Sequence, residues 1–183
     1  MIRNLQYTDQ ELIQQCLKGK RKAQHLMYQR YAGKMLALCK RYMGQLEEAE
    51  EVMLGGFVKV FERLEQFSGM GSFEGWMRTL MVRESLNTLK KRKMDFVDWE
   101  EQPDWEQEGP QHIGEDHREL LMEAVEMLPD GYRTVFNMYA IEGYSHQEIA
   151  QQLGISENTS KSQLSKARKQ LQERIKKLEI VAG

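Results

Sequence analysis

Residues 96–117 carry eight acidic side chains, Asp98, Glu100, Glu101, Asp104, Glu106, Glu108, Glu115 and Asp116, and not one Lys or Arg. The same stretch holds two of the chain's three prolines, Pro103 and Pro110, with two glycines and little aliphatic content. A segment of net charge −8 with so little apolar surface cannot offset the entropy lost on ordering it. It reads as an acidic flexible linker, and it divides the 183-residue chain into two small domains, 1–95 and 118–183. The division changes the meaning of the charge total. The sum is only −2, which taken whole argues against a nucleic-acid partner. Yet residues 1–95 carry 17 basic and 11 acidic side chains, and residues 118–183 carry nine of each. A +6 domain is hidden by its linker.

Both flanks read as helices, so the expected class is all-α. Thr8-Asp9-Gln10-Glu11 has the form of a capping box and opens a short helix ending near Gly19. Met27, Tyr31, Met35, Leu38 and Tyr42 recur at spacings of three and four, which predicts a helix from about residue 20 to 43, closed by Gly44. A third helix is expected over about 46–66, with Ala49, Val52, Met53, Gly56, Phe57, Val60, Phe61 and Leu64 on its apolar face. Ser68-Gly69-Met70-Gly71-Ser72 breaks the pattern, and a fourth helix runs on to about Lys93. In the second domain, helices are expected over 119–127 and 132–141. Ser145 and Glu148 form a second capping box, opening a helix to Leu153. After the Gly154-Ile155 turn, Ser156 caps a last helix to about Leu178 with Leu164, Ala167, Leu171 and Ile175 on its apolar seam.

Two helices joined by a short glycine turn, the second polar outside, make a helix-turn-helix pattern. With Ile155, Leu164 and Leu171 inward, Asn158, Lys161, Ser162, Ser165, Lys166 and Lys169 lie on the opposite side, and Thr159 belongs to the same first turn. From Lys161 to Lys177 there are seven basic residues and one acid, a local +6 suited to phosphates and base edges. The bland reading is a solvated helix of a bundle. On the fourth helix, Arg83, Asn87 and Lys90 form a polar stripe that Trp76 and Leu80 extend, ending in Lys90-Lys91-Arg92-Lys93. Phe67, Phe73 and Trp76 flank the glycine loop. Aromatics beside such a stripe suit unpaired bases, although Phe73 and Trp76 by themselves fit a core better. Glu47-Glu48-Ala49-Glu50-Glu51 is an acidic patch at a helix start, explained by the helix dipole or by a basic partner.

No catalytic constellation emerges. Gly55-Gly56 lies inside a helical pattern with no Gly-Lys-Ser/Thr after it, so no phosphate loop is indicated. His25, His112, His117 and His146 show no ligand spacing with one another or with Cys16 and Cys39, so neither metal nor disulfide framework is expected. The expectation is a protein that is not an enzyme, with no cofactor and no small-molecule substrate. No run approaches the roughly 18 apolar residues of a spanning helix, and a cytoplasmic location is expected.

The order of these parts, EEAEEVMLGGFVKVF at 47–61, FSGMGSFEGW at 67–76, LPDGYRTVFNMYA at 128–140 and EGYSHQEIAQQLGISENTSKSQLSKAR at 142–168, resembles the extracytoplasmic-function sigma factors of bacterial RNA polymerase. The resemblance spans nearly the whole chain. It implies an N-terminal sigma domain 2 that binds core polymerase and opens the −10 element, and a C-terminal sigma domain 4 that reads the −35 element. By position it assigns Lys161, Ser162, Ser165 and Lys166 to −35 contacts. Arg78, Arg83, Asn87 and Lys90 match −10 contacts, and the loop Ser68, Gly69, Met70, Gly71 and Ser72, with Trp76 beside it, matches the segment that captures a flipped base. Glu50, Glu51, Leu54 and Gly55 fall where the family meets the polymerase β′ clamp helices. The chain departs from the family with Leu54-Gly55 in place of the common Gln-Glu, Ser160 in place of a frequent aliphatic residue, and Gln163 in place of a frequent Arg.

Implied partners are core polymerase, promoter DNA and an anti-sigma factor, with the membrane reached only indirectly through that factor. The acidic linker suits the polymerase's basic nucleic-acid channel, where it would mimic a nucleic-acid chain. Two rivals remain at this stage. One is a free-standing helix-turn-helix regulator that binds palindromic duplex sites as a dimer. The other is a helical adaptor whose basic faces bind protein or RNA.

Overall fold

A computed structural model describes residues 7–92 and 118–182, and every regular element among them is helical. The expected linker 96–117, with His112 and His117, lies outside the described residues. In chain order the helices are α1 (Asp9–Leu17), α2 (Arg21–Met43), α3 (Leu46–Glu62), α4 (Phe73–Lys91), α5 (Arg118–Glu126), α6 (Asp130–Phe136), α7 (His146–Leu153) and α8 (Glu157–Ala182). The described residues divide into two compact units, one of 7–40 with 46–88 and the other of 41–45 with 89–92 and 118–182.

In the first unit the Thr8–Glu11 capping box closes as expected. Thr8 Oγ1 accepts from Glu11 N–H at 3.2 Å, and the Glu11 carboxylate accepts from Thr8 N–H at 2.7 Å. These bonds stabilise the charged form and hold the Glu11 carboxyl below its ordinary value. The core takes Leu12 and Ile13 from α1, Met27, Tyr31, Met35 and Leu38 from α2, and Met77 and Met81 from α4. Against these α3 buries Ala49, Val52, Met53, Phe57 and Val60. The third helix stops at Glu62, and a separate 3-10 turn at Leu64–Gln66 follows, burying Leu64.

Gly56 of α3 is buried against Met81 of α4. A Cβ there would overlap Met81 Sδ and stand 3.0 Å from Met81 Cε. Gly55, its neighbour, is exposed, and a Cβ on it would meet nothing within 4 Å. The Gly-Gly pair therefore divides into one packing glycine and one surface glycine. Lys59 of α3 and Glu84 of α4 add an ion pair across the same two helices at 2.5 Å.

In the second unit α8 packs against α5, α6 and α7. Ala167 and Leu171 of α8 join Ala124, Val125 and Leu128 in one apolar cluster, with Leu121, Tyr132 and Phe136 against it. The buried Arg133 donates to the carbonyls of Glu126 at 2.9 Å and Leu128 at 2.7 Å and pairs with Asp130, fixing the corner between α5 and α6. The helix expected to run to Ile141 is α-helical only to Phe136, and its last turn, Asn137–Ile141, is a π-helix. No sequence periodicity marks that switch, because one residue inserted into a turn leaves composition unchanged.

Candidate nucleic-acid interface

The Ser145–Glu148 box opens α7. Ser145 Oγ accepts from Glu148 N–H at 3.2 Å, and the Glu148 carboxylate accepts from Ser145 N–H at 2.8 Å, which holds that carboxyl below its ordinary value. The helix ends at Gly154, whose φ of 71° is the left-handed conformation that a Cβ would oppose. Two residues later Ser156 Oγ accepts from Thr159 N–H at 2.9 Å and starts α8. Cap, glycine and cap set the helix-turn-helix geometry.

On α8, Asn158, Lys161 and Lys169 are exposed and Ser165 is half-buried, so the four recur along one outward stripe. Lys166 beside them is half-buried. Thr159 and Ser162, also expected on this face, are buried. The Thr159 hydroxyl meets the Ser156 hydroxyl at 2.8 Å, and Ser162 Oγ donates to the Thr159 carbonyl at 3.0 Å. Their polarity is satisfied within the first turns of the helix, which lets two small hydroxyls sit inward.

In the first unit, Arg83, Asn87 and Lys90 form an exposed stripe on α4, with Arg78 half-buried. Asn87 Nδ2 donates to the Glu84 carboxylate at 3.3 Å. Leu80, expected to extend that stripe, is instead in the core, as is Phe73. Trp76 is half-buried, stacked on Phe73 at 5.7 Å and tilted against Phe67 at 5.6 Å between centroids. Phe67 and Phe73, in contact at 5.2 Å between centroids, bracket the loop 68–72. All five residues Ser68–Ser72 are exposed, and Gly69 and Gly71 take φ of 77° and 78°. Between them Met70 projects with 85% of its surface in solvent. Ser72 Oγ accepts from Gly75 N–H at 3.0 Å and anchors the loop on α4.

On α3, Glu50, Glu51, Leu54 and Gly55 are all exposed. Val58, one turn beyond Leu54, is exposed as well and was not among the expected site residues. It gives the acidic start of α3 an apolar continuation. Among the described residues no group of three or more His, Cys, Asp or Glu could hold a metal ion. Nor is any helix among them long and apolar enough to cross a membrane.

Residues 27–94 match the family model of sigma-70 region 2, and residues 118–171 match that of sigma-70 region 4. The chain belongs to the extracytoplasmic-function sigma factors. It is 26% identical over 186 residues to the ECF RNA polymerase sigma-E factors of Escherichia coli K12 and Salmonella typhimurium LT2, covering 94% of this chain and 97% of theirs. The sigma-E factor of Haemophilus influenzae is 23% identical, with 94% and 98% covered. The fold is similar to that of the sigma factor RpoE of Bartonella quintana, solved in complex with the anti-sigma factor NepR. The TM-score is 0.51 at 21% identity, over 83% of this chain and 96% of that one. As a sigma factor the protein directs promoter-specific initiation by RNA polymerase. The regions matched by the two family models are those that carry the α4 and α8 stripes.

Proposed function

We propose that this sigma factor divides promoter recognition between its two exposed basic stripes and docks on polymerase through α3. Helix α8 reads the −35 element, with Asn158, Lys161, Ser165, Lys166 and Lys169 toward duplex DNA. Thr159 and Ser162 act beneath that face as supports. The −10 element is met by Arg78, Arg83, Asn87 and Lys90 on α4. The loop Ser68–Ser72 takes up a flipped base, with Met70 as its apolar surface, backed by Trp76. Unstacking a base requires a few kcal/mol, least at weak steps, so reading and opening are coupled. Glu50, Glu51, Leu54 and Gly55, with Val58, meet the polymerase β′ clamp helices. The acidic segment 96–117 joins the domains and suits the basic channel of polymerase. The protein works by binding, without catalysis, in the cytoplasm, under an anti-sigma factor such as the one the Bartonella relative was solved with.

The observation that carries this reading is the outward row Asn158, Lys161, Ser165 and Lys169 directly after a capped helix-turn-helix turn. The test is transcription by core polymerase reconstituted with the full chain. Lys161→Ala and Lys166→Ala should weaken promoter binding, each making the slope of log affinity against log salt shallower by about 1. Leu54→Asp should lower affinity for core polymerase and leave the fold intact, because Leu54 is half exposed at 51%. Unchanged promoter affinity in the lysine variants would overturn the α8 assignment. Unchanged core binding by Leu54→Asp would overturn the α3 docking face.

A further inference from the structure

One imidazole joins three segments of the helix-turn-helix. His146 is the first residue of α7, and its Nδ1 lies 2.9 Å from Ser160 Oγ on α8. Its ring stacks on Tyr139 of the π-helical turn, with centroids 4.5 Å apart and planes 21° from parallel. Arg168 of α8 lies 6.0 Å from the centre of the same Tyr139 ring. Ser160 is fully buried. A methyl-rich side chain packs without directional demand. A buried hydroxyl requires a partner at one place, because leaving it unmatched is costly. Ser160 therefore makes an oriented contact where an aliphatic side chain would make a tolerant one.

The imidazole's pKa lies below its ordinary value, which favours the neutral ring. Burial disfavours its cation, Lys161 and then Arg168 add to that, and Glu157 alone opposes them. The N-terminal end of α7 acts in the same direction as the two cations. A neutral ring keeps one donor and one acceptor nitrogen, so either tautomer can pair with a hydroxyl. Ser160 directly precedes Lys161 and stands two residues after Asn158. The rotation of α8 that places Ser160 against His146 therefore also sets where those two outward side chains point.

We infer that His146 is a positioning residue for promoter reading. Through Ser160 it fixes the rotation of α8 against α7 and so sets discrimination at the −35 element, without touching DNA. This rests on the reading of α8 as the recognition helix. The test uses holoenzyme assembled from core polymerase and the full chain. Its probes are a promoter fragment selected by wild-type holoenzyme from a randomised pool, and the same fragment with its −35 element scrambled. The measured quantity is the ratio of the two affinities.

Ser160→Ala and His146→Phe, which keeps the ring on Tyr139 but not the bond, should each lower the ratio about five- to tenfold. The slope of affinity against salt should stay as in wild type, because no phosphate contact is lost. The double variant should lose no more than the worse single one. His146→Asn, whose amide can reach the Nδ1 position, should recover most of the ratio. Should the single variants lose helix content, His146→Leu with Ser160→Val refills the volume without the bond and should show the same loss of ratio. An unchanged ratio in the folded variants, or independent losses in the double variant, would overturn the inference. Lys161→Ala and Lys166→Ala report separately on the recognition helix itself. If they leave affinity and salt slope unchanged, the reading of α8 fails and the inference falls with it; if they weaken binding while the His146 and Ser160 variants keep the ratio, only the inference fails.

Discussion

Alanine at Gly55 should stabilise the first unit, and alanine at Gly56 should leave it about as stable as before. Both substitutions add the same methyl group to adjacent positions inside α3, and each gains about 1 kcal/mol of helix propensity over glycine. At Gly55 nothing stands within 4 Å of the new atom, so the gain is kept. At Gly56 the new Cβ overlaps Met81 Sδ and reaches within 3.0 Å of Cε, and Met81 is fully buried. Sδ and Cε are the far end of a flexible side chain, which can yield, but Met81 is fully buried, so the shift costs about 1 kcal/mol, the low end for overpacked cores. The propensity gain is common to both variants and cancels between them. The gap between the two therefore isolates the Met81 clash at about 1 kcal/mol. For a domain of this size each kcal/mol moves the midpoint by about 4–8 °C. Because the full chain has two units, urea unfolding should be followed by native-state hydrogen exchange at the amides of α3 and α4, which reads the first unit by itself. In a Met81→Ala background the gap should close. Equal stabilisation by both alanines in the wild-type background would refute the account of Gly56 as a packing glycine.

Acid should loosen the helix-turn-helix through His146. Its pKa lies below the ordinary 6.5, so the unfolded chain binds the proton more readily than the folded one; stability is full above that value and declines as pH falls below it. Thermal unfolding of the second unit from pH 8 to 5 should show this decline, and His146→Asn should flatten it. Ser145→Ala removes the cap that holds α7 and should lower stability by about 1 kcal/mol in denaturant unfolding, whereas Ser145→Asp should retain most of it. Burial pushes the Cys16 thiol up to about 11 from 9.0, so at pH 8 its thiolate is about 100-fold scarcer than that of an ordinary cysteine. Iodoacetamide should label Cys16 at least that much more slowly in the folded protein than in urea.

Much of this fold is legible in local sequence because its helix ends are locally encoded. Thr8–Glu11 and Ser145–Glu148 each place both halves of a capping box within four residues, and both boxes close as read. Gly154 needs only its own backbone to declare the turn. The apolar face of α3 is equally plain, since a stripe of large side chains every three or four residues has one buried solution. What spacing does not carry is the identity of a neighbour in space. Gly56 looks like a weak point of a helix until Met81, 25 residues later, is set against it. Leu80 falls into a polar stripe on paper because it follows Trp76 at the right interval, yet both side chains turn toward apolar surroundings.

The same limit acts most strongly on the first turns of α8, whose side chains are small and polar. Large aliphatics fix the phase of a helix; serine and threonine do not, because a hydroxyl can be satisfied by water outside or by the helix's own backbone inside. Thr159 and Ser162 take the second course, through Ser156 and the Thr159 carbonyl. Their inward position leaves Asn158, Lys161, Ser165 and Lys169 as the outward row and adds polar contacts to the buried Leu164, Ala167 and Leu171 in setting the phase of α8. His146 belongs to that set, and its partner Ser160 lies 14 residues away across a turn, so no short motif announces the pair. A recognition helix phased by oriented hydrogen bonds has fewer rotations open to it than one phased by aliphatic packing alone. On the proposed reading of α8 as the −35 helix, that restriction acts on sequence choice rather than on affinity, since phosphates are met by any rotation that keeps the lysines outward.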